Sequence, residues 1–422
     1  MNKPSSPSSR AALRKRIGRV IAATPVTDMH THLYTPRFGG LLLRGIDALL
    51  TYHYLVAETF RWNPDLDPEA LFSWPVGRQA ARVWQSLFID HSPVSESCRG
   101  VLTSLQAFKG NAGDRSLDAH RRFFAGLGAD RHIDLAMKLA NVECLVMTND
   151  PYDDVERQVW DKGYKADRRF RTALRIDTLF TNWPNAAARL NAMGFRVTKD
   201  LTPATRKGIR AFLEHWIATM KPVYMMASLP PDFILPSKTI PARIFEDVVM
   251  PLARERNLAF AMMIGCKRQI NPALRLAGDG VANTDMATIE YVARQYPGNK
   301  FLVTLLAREN QHALCVIARK FRNILPFGCW WFLNSPVFIN EITRMRLEWL
   351  GLSMMPQHSD ARVLDQIIYK WNHTKNILVD VLVDKYGDVE HTGWKVGDDE
   401  LRRDVAGLLG GAFWQFLDAK ME

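Results

Sequence analysis

The stretch Thr27-Asp28-Met29-His30-Thr31-His32 predicts a short strand that ends in two histidines one residue apart. Side chains at positions i and i+2 of a strand point to the same face, so His30 and His32 can reach one point in space. Neutral imidazoles are common ligands of zinc and neighbouring metals, and two of them make half a site. The candidate that completes the site is Asp360, in the segment Pro356–Arg362 near the other end of the chain.

From about residue 141 onward, short apolar runs alternate with polar, helix-like segments. With the first strand there are eight predicted strands, at residues 26–32, 142–148, 171–177, 223–228, 258–265, 301–306, 323–329 and 350–355. Near-continuous apolar strands between helices are typical of a parallel sheet covered on both faces. Eight of them predict an α/β fold of the (β/α)₈ barrel type.

The strand pattern also predicts how the chain is divided. Residues 1–25 form a polar lead and a helix over Ser9–Ala23, and residues 26–422 form one barrel domain. Within that domain, residues 35–140 carry Trp, Phe and Leu at helical spacing and few β-branched runs. We interpret this part as a helix-rich insertion after the first strand that caps the active site.

Composition narrows the class of protein. Of 422 residues, 47% are hydrophobic and 23% charged, which is an ordinary balance for a globular protein. The net charge of +11 comes from Lys and Arg spread along the chain, so nucleic-acid binding is not indicated. A small anionic substrate fits that charge, and so does a plain solvated surface.

Five scattered cysteines without C-x-x-C spacing suggest neither a disulfide framework nor a thiolate zinc site. Together with the absence of a long apolar run, this predicts a protein of the cytoplasm that does not enter membranes. Barrels of this size often associate, so we also expect a homo-oligomer.

Several predicted strands end in polar residues, and in a barrel the carboxyl ends of the strands carry the active site. The first and eighth strands are neighbours in a closed barrel, so His30, His32 and Asp360 can meet around one ion. An alternative for Asp360 is the N-cap of the helix predicted at residues 363–367, although Ser359 could fill that role.

The chain resembles the uronate (glucuronate) isomerase family of the amidohydrolase superfamily. The segments that carry the resemblance are Thr27–His32, Thr51–Tyr54, Leu174–Asp177, Gly328–Phe332 and Ser359–Arg362. The resemblance implies a (β/α)₈ barrel of the amidohydrolase type. It also implies interconversion of D-glucuronate with D-fructuronate and of D-galacturonate with D-tagaturonate, with one divalent metal, often zinc, at His30, His32 and Asp360.

The chain departs from the family pattern at the fifth strand, where many members carry a histidine and this chain has Met263. The sixth strand also ends without a histidine. Hydrolytic members of the superfamily commonly use such histidines, or a bridging lysine carboxylate, to hold the metals that activate water. Their absence argues against a hydrolase and leaves three protein ligands for the metal.

Isomerisation of an aldose to a ketose needs a base, an electrophile and a grip on the sugar acid. We expect Asp360 to be the base, and Arg362 with the metal to stabilise the developing oxyanion. The resemblance suggests Tyr54, with His53 beside it, as the proton donor or shuttle. The alternative is that these aromatic residues are packing within the insertion.

Arg175 is the predicted carboxylate clamp, because a guanidinium can grip a carboxylate through two parallel hydrogen bonds. The alternative is a structural ion pair with Asp177, which we also place among the substrate-binding residues. Trp330 and Trp331 are predicted to form a wall against the sugar, with one of the two in the core. Two other functions remain open: a metal-dependent hydrolase of a sugar-acid lactone or amide, and a binding protein that kept the barrel without its activity.

Overall fold

The computed structural model describes residues 7–421 except 109 and 166, so residues 1–6 of the predicted lead lie outside the described residues. Within the described residues, seven parallel strands form one curled sheet in the order β1-β2-β3-β4-β5-β8-β9. Their bounds are β1 Val26–Thr31, β2 Val142–Asn149, β3 Phe170–Arg175, β4 Tyr224–Leu229, β5 Ala259–Ile264, β8 Phe301–Leu305 and β9 Ile324–Pro326. The predicted barrel is confirmed. Six of its eight predicted strands lie within one or two residues of these bounds, and a seventh, β9, is shorter than predicted.

The eighth predicted strand, at residues 350–355, is wrong. Leu350 is the last residue of a helix, and the chain then turns at Gly351, whose φ is 58°. Only Met355 pairs with a neighbouring strand, through a parallel bridge to Phe327. The apolar run therefore combines a helix end, a turn and one bridging residue.

An irregular segment closes the barrel in place of an eighth strand. The N–H of Asp360 donates to the carbonyl of His30 at 3.2 Å, and the N–H of His32 donates to the carbonyl of Ala361 at 2.8 Å. On the other side, the N–H of Gly328 donates to the carbonyl of Met355 at 2.9 Å. Residues 355–361, which we call the closing segment, thus take the position between β9 and β1.

Helices cover the outside of the sheet and connect its strands. The helix before β1 is α1 Pro7–Ala23, and those between β1 and β2 are α2 Ile46–Leu50, α3 His53–Trp62, α4 Pro68–Ser73, α5 Val76–Trp84, α6 Glu96–Ala107, α7 Leu117–Ala125 and α8 Ala129–Ala140. The later helices are α9 Asp154–Asp161, α10 Asp177–Thr181, α11 Trp183–Ala192, α12 Pro203–Met220, α13 Ile240–Ile244, α14 Met250–Glu255, α15 Met286–Gln295, α16 Gln311–Ala318, α17 Pro336–Leu350, α18 Gln366–His391, α19 Asp398–Ala406 and α20 Ala412–Asp418. Among the described helices, none is long and apolar enough to cross a bilayer.

The last helix closes the amino end of the barrel. Phe413 and Leu417 of α20 belong to the same buried cluster as Tyr224 and Met263 inside the barrel. Trp414 donates a hydrogen bond of 3.0 Å to the hydroxyl of Thr27 at the start of β1. Because this end is filled, ligands have access to the barrel from the carboxyl end of the strands.

A two-stranded antiparallel hairpin follows the fifth barrel strand. It consists of β6 Cys266–Lys267 and β7 Gly280–Val281, and its turn includes the short 3₁₀ segment Pro272–Gly278. All five cysteines lie in the described part of the chain and have free thiols.

Candidate active site

Three of the predicted metal ligands meet at the carboxyl end of the barrel. His30 lies on β1 and His32 directly follows it, while Asp360 comes from the closing segment. The Nε2 atoms of His30 and His32 lie 3.5 Å and 3.4 Å from Oδ1 of Asp360. Candidate ligand atoms of the three residues all lie within 4.8 Å of one another. The structure therefore brings together residues that are far apart in the sequence.

The contacts of His30 fit the tautomer that a metal ligand needs. The hydroxyl of Tyr224 donates to the carbonyl of Met29 at 2.7 Å, so its oxygen is available as an acceptor. The Nδ1 atom of His30 lies 3.4 Å from that oxygen. With its proton on Nδ1, His30 has an Nε2 lone pair on the side of Asp360 for a metal ion.

His32 follows the same pattern on the other side. The hydroxyl of Thr148 donates to the carbonyl of Thr31 at 3.1 Å and lies 2.9 Å from Nδ1 of His32. With a proton on Nδ1, His32 donates to the oxygen of Thr148 and has an Nε2 lone pair on the side of Asp360 for a metal ion. Such outer partners are what orient imidazole ligands around a metal.

This donor set fits a metal ion. Oδ1 of Asp360 is buried and has no hydrogen-bond partner among the described residues. Two imidazole nitrogens and a carboxylate oxygen lie 3.4–3.5 Å apart, an arrangement that a cation between them would stabilise. Burial, and next to it the charge of Arg362, lowers the pKa of His32 well below its usual range. His32 is therefore neutral, as a metal ligand must be.

The backbone of Asp360 is held in an unusual conformation. Its φ is 52°, in the left-handed region that residues other than glycine rarely adopt. Asp28, which is fully buried, holds the preceding residue: it accepts hydrogen bonds from the N–H of Ser359 at 3.0 Å and from the indole of Trp371 at 2.8 Å.

Asp360 caps no helix, because the next helix begins at Gln366. The alternative role as an N-cap is therefore wrong.

Burial acts to raise the pKa of Asp360, but its contacts with His30 and His32 act in the opposite direction and dominate. The pKa of this carboxyl lies well below its usual value. Asp360 is therefore ionised at neutral pH, as both a metal ligand and a base must be.

Two aromatic residues at the start of α3, His53 and Tyr54, belong to the candidate site. The rings of His53 and Tyr54 are 4.8 Å apart, and His53 lies 5.6 Å from the ring of Trp331. The His53 Nε2 atom and the Tyr54 hydroxyl are buried without a hydrogen-bond partner among the described residues. These residues do pack as aromatics, but each also presents an unused polar atom. Burial, above all, raises the pKa of Tyr54 well above its usual value, so the phenol keeps its proton.

The two tryptophans after β9 have different surroundings. Trp330 is 3% exposed and Trp331 is 6% exposed, so both are buried. Trp331 contacts His53 and stacks on Phe332 at 5.0 Å, and its indole N–H has no hydrogen-bond partner among the described residues. Its φ of 46° is unusual for so large a side chain. Trp331 is the tryptophan that contacts the candidate site residues.

Arg175 forms an ion pair with Asp177. Its Nε and Nη2 atoms donate to the same carboxylate oxygen at 2.9 Å and 2.6 Å. The second oxygen of Asp177 accepts the N–H of Ser228 at 2.8 Å. Burial acts to lower the pKa of Arg175, but Asp177 and Asp150 outweigh it and raise that pKa. The ion pair predicted as the alternative to the clamp is therefore present in the structure.

Arg362 is a second guanidinium at the site. Its backbone N–H donates to Gln366 at 2.8 Å, and its side chain has no hydrogen-bond or ion-pair partner among the described residues. Burial, and next to it the charge of Arg362, lowers the pKa of His53 to about 3. His53 is therefore neutral, and the positive charge of Arg362 is available to an anion.

His358 is a buried residue near the candidate metal ligands that the sequence pattern does not indicate. His358 is fully buried, its ring lies 5.0 Å from that of His30, and neither of its ring nitrogens has a hydrogen-bond partner among the described residues. It lies two residues before Asp360, and this spacing could have placed the two side chains on one face. The predicted strand ends at residue 355, so the strand pattern does not extend to His358 and Asp360.

Within the described residues, no further His, Cys, Asp or Glu completes a metal cluster with these three. Met263 on β5 is buried in the barrel interior, and β8 ends at Leu305 without a histidine. The ligand set is therefore limited to two imidazoles and one carboxylate.

A comparison with solved structures finds a uronate isomerase of Bacillus halodurans with 48% sequence identity and a TM-score of 0.95. The match covers 98% of this chain and 97% of that one. A scan against models of protein families and a search of curated proteins find no match.

Two more distant structures share the fold. A uronate isomerase of Thermotoga maritima matches at 14% identity and a TM-score of 0.77, over 96% of this chain and 97% of that one. A glucuronate isomerase of Caulobacter crescentus matches at 14% identity and a TM-score of 0.75, over 99% and 96%. From the similarity to the Bacillus halodurans structure along nearly the whole of both chains, we conclude that this protein belongs to the uronate isomerase family.

Proposed function

We propose that the protein interconverts D-glucuronate with D-fructuronate and D-galacturonate with D-tagaturonate. The observation that carries this proposal is the set of groups at the carboxyl end of the barrel. An ionised Asp360 lies between two imidazoles, and a protonated Tyr54 and an unpaired Arg362 lie on the same side. This set contains a base, an acid and a cation, which proton transfer between neighbouring carbons requires.

In the proposed reaction, Asp360 removes the proton from C2 of the aldose while the Tyr54 hydroxyl gives its proton to the carbonyl oxygen on C1. The hydroxyl on C2 then returns a proton to Tyr54. Asp360 delivers the first proton to C1, which leaves a ketone at C2 and both residues in their starting states. Arg362 stabilises the negative charge that develops on oxygen between these steps.

His30, His32 and Asp360 would hold the metal, and we propose zinc because two imidazoles and a carboxylate are a common zinc ligand set. When bound, the ion supplies Lewis acidity toward oxygen. Asp360 would be both a metal ligand and the proposed base, so its carboxylate would be held in position by coordination.

The remaining predicted roles are part of the same proposal. Arg175 and Asp177 bind the substrate, Trp330 and Trp331 form the wall of the site, and His53 assists Tyr54. The helices of residues 35–140 cap the chamber, as the packing of His53 on Trp331 supports.

Free thiols at all five cysteines fit a reducing, cytoplasmic location, and we also propose a homo-oligomer.

The proposal is tested by incubating the purified protein with each uronate and following the sugar by NMR. Ketose product is expected from both uronates and not from the neutral sugar D-glucose. A panel of sugar-acid lactones serves as the control for the hydrolase alternative. Release of free acid from a lactone, with both uronates unchanged, would contradict the isomerase function.

A further inference from the structure

The closing segment is irregular, so side chains hold part of the backbone that a strand ladder would hold elsewhere in the barrel. The carbonyls of His358 and Ser359 both accept hydrogen bonds from Nδ2 of Asn334, at 3.3 Å and 2.9 Å. These two carbonyls come immediately before Asp360 in the chain. The Asn334 amide therefore holds the backbone that carries the proposed base.

The orientation of the Asn334 amide is fixed by its other contact. Its Oδ1 atom accepts a hydrogen bond of 2.9 Å from Nε2 of Gln357. The Oε1 atom of Gln357 accepts the N–H groups of Cys329 at 2.7 Å and His358 at 3.1 Å, so that amide cannot be reversed without loss. Carbonyl oxygens only accept hydrogen bonds, so Nδ2 of Asn334 must face His358 and Ser359. Asn334 is 3% exposed, and water does not compete for these bonds.

The backbone of Asn334 is held from the side of the helical insertion. The ammonium of Lys370 on α18 donates to the carbonyl of Asn334 at 2.9 Å and forms an ion pair of 2.7 Å with Glu96 on α6. The two helices lie close together here, since a Cβ atom built on Gly100 of α6 would lie 2.7 Å from the ring of Tyr369 on α18. A continuous set of contacts therefore runs from the insertion to Asn334.

Asn334 also ends the loop that follows β9. Its N–H donates to the carbonyl of Trp331 at 2.9 Å, which closes the 3₁₀ turn Trp331–Leu333. Trp331 in turn contacts His53 at the start of α3. Asn334 thus joins the loop that carries Trp331 to the segment that carries Asp360.

We propose that Asn334 is a positioning residue for Asp360. Its amide holds the two carbonyls before Asp360 and thereby fixes the carboxylate relative to His30 and His32, while Lys370 holds Asn334 in place. This inference rests on the proposed function, in which Asp360 is the base. Proton transfer depends steeply on the position of the base, because a displacement of about 1 Å can lower a rate on the order of 100-fold.

Asn323 offers a matched control at the amino end of the barrel. It directly precedes β9, is buried, and donates from Nδ2 to two carbonyls, those of Ala293 and Tyr296, both at 3.1 Å. Replacement of either asparagine by alanine removes two hydrogen bonds of the same kind. We therefore expect Asn334→Ala and Asn323→Ala to lose similar amounts of stability.

The test compares Asn334→Ala, Asn334→Ser and Asn323→Ala by steady-state kinetics with D-glucuronate, at a temperature at which circular dichroism shows each protein folded. We expect Asn334→Ala to lower kcat about tenfold or more, because the base is displaced. Its KM should stay within about threefold of the wild type, because the loss affects the chemical step. Asn334→Ser keeps one donor and should recover part of the loss, and Asn323→Ala should keep the kcat of the wild type.

An unchanged kcat in Asn334→Ala would overturn the proposal. An equal fall of kcat in Asn323→Ala would overturn it too, because lower stability alone would then explain the loss. Failure of both Asn334 variants to fold would also overturn it, since the residue would then hold the barrel together rather than place one carboxylate.

Failure of the proposed function would show differently, because the wild type itself would leave D-glucuronate unchanged. Crystal structures of the wild type, Asn334→Ala and Asn323→Ala then decide on Asn334. The distances from Oδ1 of Asp360 to Nε2 of His30 and His32 are 3.5 Å and 3.4 Å. They should change by about 1 Å in Asn334→Ala and stay the same in Asn323→Ala. Unchanged distances in Asn334→Ala would overturn the positioning role.

Discussion

At the scale of single residues, the site is defined by polar atoms that the fold leaves unused. The Tyr54 hydroxyl, the His53 Nε2 atom and Oδ1 of Asp360 are all buried without a hydrogen-bond partner among the described residues. Buried polar groups are normally paired, because an unpaired one costs roughly 1–3 kcal/mol. Several such atoms lie around one carboxylate. This indicates a chamber in which a substrate and a metal supply the partners that these atoms lack.

Replacing Tyr54 by Phe tests the proposed acid. Because its hydroxyl has no protein partner, the change should leave the thermal midpoint within a few degrees of the wild type. Loss of a positioned acid should lower kcat about 100-fold with little effect on KM. The matched control is Tyr52→Phe, two residues earlier at the start of α3, which should keep its turnover. Undiminished turnover in Tyr54→Phe would remove Tyr54 from the mechanism.

Arg175 can be both a clamp and a structural partner, and the Arg175→Lys variant separates these roles. Lysine keeps the charge but lacks the Nε and Nη2 donors that Arg175 directs at one oxygen of Asp177. If Arg175 binds substrate, KM for uronates should rise about tenfold. Loss of stability by chemical denaturation, with KM unchanged, would show that the arginine serves Asp177 alone.

At the scale of elements, the closing segment is where sequence and structure disagree most. The barrel and seven of its strands could be predicted, because each is a buried apolar run between helices. The eighth could not, because residues 350–355 are equally apolar but contain a helix end and a turn at Gly351. The spacing of apolar residues does not show whether a segment of the barrel is a regular strand or an irregular one.

Gly328 tests how tightly the closing segment is held. Its φ is 64°, and a Cβ atom built on it would lie 1.9 Å from Cδ2 of His358. Gly328→Ala should therefore displace the segment that carries Asp360, lower the thermal midpoint by many degrees and abolish turnover. Gly351→Ala is the matched control, because its φ is 58° but nothing lies within 4 Å of the added atom. Because its ψ is −129°, the backbone strain alone should cost about 1–3 kcal/mol. Equal stability of the two variants would contradict the account of the closing segment.

The contact between α9 and the end of β2 should make stability depend on pH. Glu156 is buried and accepts hydrogen bonds from Tyr34 at 2.6 Å and Asn149 at 2.9 Å. Burial dominates and raises the pKa of Glu156 to about 7. The folded protein thus holds this proton more tightly than the unfolded chain, so the stabilisation is complete below the unfolded pKa of 4.5 and is lost as pH rises through about 7.

The Glu156→Gln variant isolates that contribution, since other titrating groups are common to both proteins. Between about pH 5.5 and about pH 8 the wild type should lose about 2 kcal/mol more stability than the variant. Chemical denaturation at both pH values measures the difference. Parallel pH profiles would mean that Glu156 titrates normally in the folded protein.

At the scale of the whole molecule, the barrel joins the two ends of the chain at one point. His30 and His32 come from the first strand and Asp360 from the closing segment, so the site exists only when the barrel is closed. The sequence could predict this meeting, because first and last strands are neighbours in any closed barrel. The contact of His53 with Trp331 could not be predicted, because it depends on side-chain packing that no spacing shows.

The measurement that most directly tests the proposed function is proton exchange during turnover. The purified protein is incubated with D-glucuronate in D₂O, and both sugars are followed by NMR through many turnovers. Proton transfer by Asp360 predicts D-fructuronate as product, with deuterium at C1 to the extent that the carboxyl exchanges with solvent before it delivers its proton. No ketose from D-glucuronate would contradict isomerisation by this protein.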